Sequence, residues 1–280
     1  MNGHGQAGGP GAGLIARRLC ANLSFLFPEL PFEARFAAAA GAGFRAVEFL
    51  FPYDHAPQAL ARLLAESDLA LALFNAPPGD WDAGERGLAA LPGREAEFAQ
   101  GIARALDYAE ALGVAQIHVM AGRADPAESQ ARATYLSNLR LAADRAARRG
   151  VSVLVEPINR DDMPGYFLSD FDLAAGLLDD LADSGVALQF DLYHCAMIHG
   201  GEAVLPRLEA LLPRTRHMQI AGVPGRHEPA EPGLPLRAIF ALLDGAGYAG
   251  RVGCEYRPAG DTCAGLEWAA RLENALEPMA

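Results

Sequence analysis

Four apolar stretches in the second half of the chain each carry a metal-capable oxygen side chain near their end: VSVLVE at Glu156, VALQFD at Asp191, the HMQI segment at Gln219 and VGCE at Glu255. They follow one another at intervals of 35, 28 and 36 residues, about the length of one strand plus one crossover helix in a parallel α/β fold. Burying two glutamates and an aspartate together is costly, because ionised carboxylates lose their hydration and repel one another. A divalent cation removes that repulsion, and an oxygen donor set selects a hard ion, Mg2+ or Mn2+. Glu156 and Glu255 have longer side chains than the aspartate, so each can ligate through one oxygen and hold the other near a substrate C–H. That pairing suits proton removal next to a carbonyl, with the cation stabilising the enediolate that forms.

Eight strand-like runs must position these groups: RRLCANLS, FRAVEFL, LALALFN, AQIHVMAG, VSVLVEP, VALQFDLYH, TRHMQIAG and RVGCEYRP. Amphipathic segments such as EFAQGIARALDYAEALG and PLRAIFALLDGAG alternate with them. Gly43, Gly113, Gly150, Gly185 and Gly247 stand just before the next strand, where helix C-caps fall in αβ units. Eight βα alternations with no second composition regime predict an α/β fold, a (β/α)8 TIM barrel forming a single domain over residues 17–280. A flexible Gly-rich leader is expected over residues 1–16. A doubly wound open sheet is the competing arrangement, but NLSFLFPELP after the first strand is not a phosphate-binding loop. The active site of a barrel lies at the C-terminal ends of its strands, where all four oxygens fall.

Other side chains gather at the same ends. His194, three residues after Asp191 in DLYH, is placed to reach a substrate oxygen or to support a ligand. His217 shares a strand face with Gln219, so either can ligate. In the loop VPGRHEP, Arg226 and His227 are the leading candidates to bind an anionic substrate group, since arginine offers a fork matched to carboxylate. The long loop PPGDWDAGERGLAALPGRE, with Trp81, Glu85 and Arg86, reads as an active-site lid. Glu48, Asn75 and His118 also end strands and rank below these as site-lining residues.

Composition narrows the chemistry. All 23 basic residues are arginine, which excludes Schiff-base aldolases, pyridoxal enzymes and P-loop hydrolases, all dependent on a lysine amine. A net charge of -12 without a basic cluster argues against nucleic-acid partners. The expected partner is a small molecule, and a homo-oligomer is one expected arrangement. Cys20, Cys195, Cys254 and Cys263 lack paired spacing and read as reduced thiols of a cytoplasmic protein. No stretch is apolar enough for a membrane span. Gly3, Gly5 and Gly8 satisfy G-x-G-x-x-G, but no strand precedes them, so they do not form a dinucleotide fingerprint. Arg17 and Arg18 precede an apolar run broken by Asn22, Ser24, Pro28 and Glu29, which reads as a first strand rather than an export signal.

Over roughly residues 19–270 the chain resembles the hydroxypyruvate isomerase family, within the xylose-isomerase-like barrels that include ketose 3-epimerases. The resemblance is carried by ANLSFLF, VEFLFPYD, PGDWDAGERG, LPGRE, VEPINRDDMPGYFL, QFDLYH, HMQIAGVPGRHEP and VGCEYRP. It implies that Glu156 and Glu255 are the acid/base pair, that the metal lies among Glu156, Asp191, Gln219 and Glu255, and that His194 and Arg226 face substrate. In the related epimerases a histidine stands where Gln219 does, which assigns the ligand to Gln219. The reaction so implied interconverts hydroxypyruvate and 2-hydroxy-3-oxopropanoate (tartronate semialdehyde). After VPGRHEP the chain departs from the family's G-E-I-N-Y-like run and continues PAEPGLPL. LALALFN and IHVMAG are also similar to the 2-oxo-tetronate isomerases. That activity, a ketose 3-epimerase and a non-catalytic, metal-containing sugar-acid binding protein are the alternatives. An apurinic endonuclease on this barrel needs a multi-zinc cluster rich in histidine, and three of the seven histidines stand at residues 4, 55 and 199.

Overall fold

A computed structural model describes residues 13–276. Residues 1–12 of the expected leader, with the Gly3, Gly5 and Gly8 pattern, lie outside the described residues. Leu14–Arg17 form a helical turn with Leu14 fully buried, and the Leu14 amide donates to Glu273 in the last helix at 2.9 Å.

All eight predicted runs contain a strand: β1 Leu19–Asn22, β2 Ala46–Phe49, β3 Ala70–Asn75, β4 Gln116–His118, β5 Ser152–Val155, β6 Ala187–Asp191, β7 Thr215–Ile220 and β8 Val252–Cys254. They close into a barrel in chain order, and β8 pairs in parallel with β1. Strands covered on both faces need apolar side chains almost throughout, which is why these runs are near-continuous Val, Leu, Ile, Phe and Ala. The surrounding helices bury one stripe each. Helix Glu95–Leu112, for example, turns Phe98, Ile102, Ala105, Leu106 and Ala109 inward at the three-to-four-residue period of an amphipathic helix. It ends at Gly113, whose φ of 66° is a left-handed conformation that glycine takes without a Cβ penalty. The other four predicted capping glycines also have positive φ.

One run divides differently from its pattern. VALQFDLYH is strand only to Asp191, and Leu192–His199 is a helix. The Asp191 carboxylate accepts from the amides of Tyr193 at 2.7 Å and His194 at 3.4 Å. An N-cap of this kind satisfies amides that no helical carbonyl reaches. A strand end thereby becomes a helix start, and His194 enters the first turn beside the barrel mouth.

The segment after β3 is only partly free. Leu88, Ala89 and Ala90 are buried, and Gly87 bridges Ala121. Asp80 to Ala83 are exposed and Gly84 to Arg86 are half-buried, with Trp81 against Phe51 at a ring separation of 5.1 Å. Cys20, Cys195 and Cys254 are buried and Cys263 is exposed. Among the described residues, no helix is long and apolar enough to cross a membrane.

Candidate active site

Each strand delivers one polar residue to the C-terminal end of the barrel. In ring order these are Asn22, Glu48, Asn75, His118, Glu156, Asp191, Gln219 and Glu255, and all are buried. Asn75, His118, Glu156 and Glu255 face a cavity of about 270 Å³. Such a density of polar groups in a core is unfavourable unless each finds a partner. Their partners divide the ring.

On the β5–β8 side, Glu156, Asp191 and Glu255 oppose one guanidinium, that of Arg226. Burial pushes all three carboxyls upward: Asp191 to about 6 and Glu255 to about 8, with Arg226 opposing both rises. Glu156 lies well above the glutamate range, where repulsion from Glu255 and Asp191 adds to burial. Three carboxylates against one arginine leave an excess of two negative charges when all are ionised, which a divalent cation would offset. Among the described residues, Glu156 Oε1 and Asp191 Oδ2 are buried without a hydrogen-bond partner, as suits ligand oxygens before an ion binds. The donor set therefore fits a hard divalent cation.

His194 Nε2 lies 3.6 Å from Asp191 Oδ2 and 3.9 Å from Glu156 Oε1, so by proximity it joins this group. Its tautomer argues otherwise. Asn159 donates its side-chain amide to His194 Nδ1 at 2.7 Å, and Asn159 is itself oriented by Asp162, whose amide donates to Asn159 Oδ1 at 2.9 Å. With Nδ1 accepting, the ring hydrogen sits on Nε2. His194 thus presents an N–H to the site, which suits a substrate oxygen better than a metal ion.

Gln219 and Glu255 stand at the same rim with their polar atoms engaged. Gln219 Nε2 donates to Glu48 Oε1 at 2.8 Å and to Glu255 Oε2 at 2.6 Å. Gln219 Oε1 accepts from Gln189 Nε2 at 2.6 Å. Exchanging the amide's O and N would set its oxygen against two carboxylates, so the orientation follows from charge. Glu255 Oε2 also accepts from Asn22 at 2.9 Å, and its Oε1 meets Arg226 Nη2 at 2.5 Å.

Glu48 is the hub beneath this clamp. It accepts from Asn22 at 2.9 Å, Gln219 at 2.8 Å and Cys20 at 3.2 Å, and pairs with His217 Nε2 at 2.6 Å. Burial alone would raise its pKa, but His217 and the hydrogen bonds outweigh burial and hold it below the ordinary range. Cys20, Glu48 and His217 lie close enough to be considered as a metal group. The 2.6 Å pairing of Glu48 and His217 is hydrogen-bond contact rather than the wider separation of two ligands around an ion, and we read the cluster as a hydrogen-bonded support. Gly253 is required here, because a Cβ would overlap the Glu48 carboxylate.

The expected substrate contacts separate. Arg226 lines the cavity but is engaged: besides Glu255 it reaches Asp162 at 3.1 Å and Asp191 at 4.0 Å. Its φ of 54° is unusual for a residue with a side chain. Backbone bonds from its amide to Gly222 and from Arg257 to its carbonyl hold it there. Arg86 stacks over Trp81 at 3.7 Å and bonds the carbonyls of Trp81 and Glu85. Among the described residues it pairs with no carboxylate. His227 is outside the cavity lining, with Nδ1 on the Arg257 carbonyl at 2.8 Å. Asn22, Gln189, Asn159 and Asp162 escaped the sequence reading. Gln189 carries a usable signal, being a polar residue inside an apolar strand two positions before Asp191.

A family model described as the xylose isomerase-like TIM barrel matches residues 36–272. The 2-oxo-tetronate isomerase of Cupriavidus necator is 52% identical over 253 residues, spanning 90% of this chain and 96% of that protein. The hydroxypyruvate isomerase of Escherichia coli is 42% identical, spanning 90% and 97%. A Brucella melitensis protein described as an AP endonuclease, family 2, has a crystal structure that matches with a TM-score of 0.87 at 46% identity, covering 91% of this chain and 98% of that one. The chain belongs to the xylose isomerase-like TIM barrel family and is an isomerase.

Proposed function

We propose that the protein moves the carbonyl of a short 2-oxo acid from C2 to C3, by glutamate-mediated proton transfer through an enediolate. The observation that carries this reading is the buried carboxylate group of Glu156, Asp191 and Glu255, with Glu156 and Glu255 at the cavity and oxygens of Glu156 and Asp191 unpartnered among the described residues. Glu156 and Asp191 would hold an Mg2+ or Mn2+ ion, with Gln219 and Glu255 completing the set once their present partners yield. Bound there, the ion supplies charge stabilisation for the enediolate oxygens.

Glu156 and Glu255 come from strands three apart around the ring and reach the substrate from different sides. One takes the C3 proton and the other group's acid form returns a proton to C2. His194 Nε2–H donates to a substrate oxygen. Arg86, with Trp81 behind it, takes the substrate carboxylate, because Arg226 is already committed to Glu255 and Asp162. Arg226 instead holds Glu255 in place and partly offsets its charge.

Hydroxypyruvate, the substrate expected from the sequence, and 2-oxo-tetronate differ by one carbinol carbon and need the same carbonyl shift. The 52% identity to the Cupriavidus enzyme against 42% to that of Escherichia coli favours testing the longer acid first. The deciding experiment follows both acids by NMR after chelator treatment and after restoring Mg2+ or Mn2+. Isomerisation lost and regained with the ion is the expected result. Full activity in chelator, or retained solvent-deuterium exchange in both Glu156→Gln and Glu255→Gln, would sink the mechanism.

A further inference from the structure

Moving a carbonyl between adjacent carbons requires two proton transfers. A carbon-bound hydrogen leaves C3 and another arrives at C2, while the C3 hydroxyl loses its proton and the C2 oxygen gains one. Carboxylates serve the carbon steps, and the oxygen steps need a group that can both give and take a proton within reach of two neighbouring oxygens. This inference rests on the functional reading above and concerns the step that reading leaves without a residue.

Three buried histidines surround the barrel mouth. His217 is paired with Glu48, and His194 has Nδ1 fixed by Asn159. His118 at the end of β4 differs from both: it is buried and lines the cavity, yet among the described residues neither ring nitrogen has a hydrogen-bond partner. A buried polar side chain without a partner carries a desolvation cost that a ligand can relieve. Beside it on β3, Asn75 is its register partner and faces the same cavity.

The two oxygens of Glu156 explain why this position matters. Oε1 faces His194 on the side of Asp191, and Oε2 lies 3.7 Å from His118 Nε2. If Oε1 is the ligand oxygen, Oε2 is the one free to reach substrate carbon. The reacting carbon and its oxygen then lie against the His118 ring. We infer that His118 is a catalytic residue that carries the hydroxyl proton between the two oxygens of the enediolate. Its N–H gives a proton to the C2 oxygen as the C2=O π pair moves there. The same nitrogen then takes the proton of the C3 hydroxyl as C3=O forms. One N–H and one O–H bond break and one of each forms, so the ring ends as it began.

The test separates carbon from oxygen chemistry in one sample. Wild-type protein and His118→Gln, both loaded with Mg2+, are incubated in D2O with hydroxypyruvate or 2-oxo-tetronate, and NMR follows deuterium entry at C3 and formation of the isomer. Glutamine keeps a hydrogen-bond donor but cannot relay. The expected result is isomer formation reduced about 100-fold or more, with deuterium entry within several-fold of wild type. In His118→Ala, added imidazole should restore isomer formation, which also covers the case of a misfolded glutamine variant. Equal loss of both signals without imidazole rescue, or no loss of either, overturns the assignment. Wild-type protein inert toward both acids would instead overturn the functional reading, and this one with it.

Discussion

The two halves of the barrel mouth are built from the same strand-end positions but carry different chemistry. From β5 to β8 the ring is Glu156, Asp191, Gln219 and Glu255, dense in negative charge and holding unpartnered oxygens on Glu156 and Asp191. From β1 to β4 it is Asn22, Glu48, Asn75 and His118, where Glu48 alone is acidic and accepts several hydrogen bonds. When its three carboxyls are ionised, the β5–β8 half carries two more negative charges than Arg226 offsets. The second half is closed around Glu48 and open at Asn75 and His118, which face the cavity. The difference teaches that charge deficit and geometric support are assigned to separate strands, with Gln219 and Asn22 joining them at Glu255.

The largest effect expected from breaking this division is at the acidic half. Glu156→Gln or Glu255→Gln should lower kcat about 1,000-fold or more, because each would remove a group proposed to transfer a proton. Rapid-quench turnover and deuterium exchange measure it. Asp191→Asn sharpens the comparison, since asparagine still caps the helix Leu192–His199 while the charge of the proposed ligand is lost. We expect Mn2+ affinity, read by calorimetry, to fall about tenfold or more, while urea unfolding without metal shifts by no more than about 1 kcal/mol.

On the other half, Glu48→Gln breaks the buried pairing with His217 and should destabilise the fold by about 3 kcal/mol, measured by urea denaturation. The same variant should lower kcat through Glu255 without matching the loss seen in Glu255→Gln. A kcat loss as large as that of Glu255→Gln would place Glu48 among the reacting groups and erase the distinction. Arg86→Ala tests the rim: KM for the 2-oxo acid should rise about tenfold or more, as a lost charge-assisted bond predicts, with kcat little changed. Smallest of all, His227→Ala should leave kcat/KM within about twofold, since its ring lies outside the cavity and surface changes cost under about 0.5 kcal/mol.

The acidic half was the legible one. Glu156, Asp191 and Glu255 interrupt apolar runs with groups that cannot be buried without cause, and their spacing matched one βα unit. At equivalent positions Asn22 went unread and His118 ranked only among the weaker lining residues, because a neutral amide or imidazole at a strand end is no anomaly in one dimension. Arg226 and His227 looked equivalent in VPGRHEP. The positive φ at Arg226 turns it toward Glu255, whereas His227 folds back on the Arg257 carbonyl. Nor did the run VALQFDLYH show that Asp191 caps a helix, because an aspartate at a strand end and one at an N-cap read alike.

By itself the sequence determined the eight-unit barrel, because apolar runs, amphipathic segments and capping glycines are local signals repeated at one period. It also determined the acidic residues at the strand ends and, through the absence of lysine, that arginine, histidine or backbone N–H groups must hold any substrate carboxylate. Only the tertiary structure decided which groups remain free. Arg226 is drawn to Glu255, Gln219 is oriented by two carboxylates, Glu48 is closed beneath them, and His118 is left unpartnered beside Glu156. Those outcomes depend on distances between strands far apart in the chain, and hydrogen bonding is too short-ranged for spacing along a sequence to specify it.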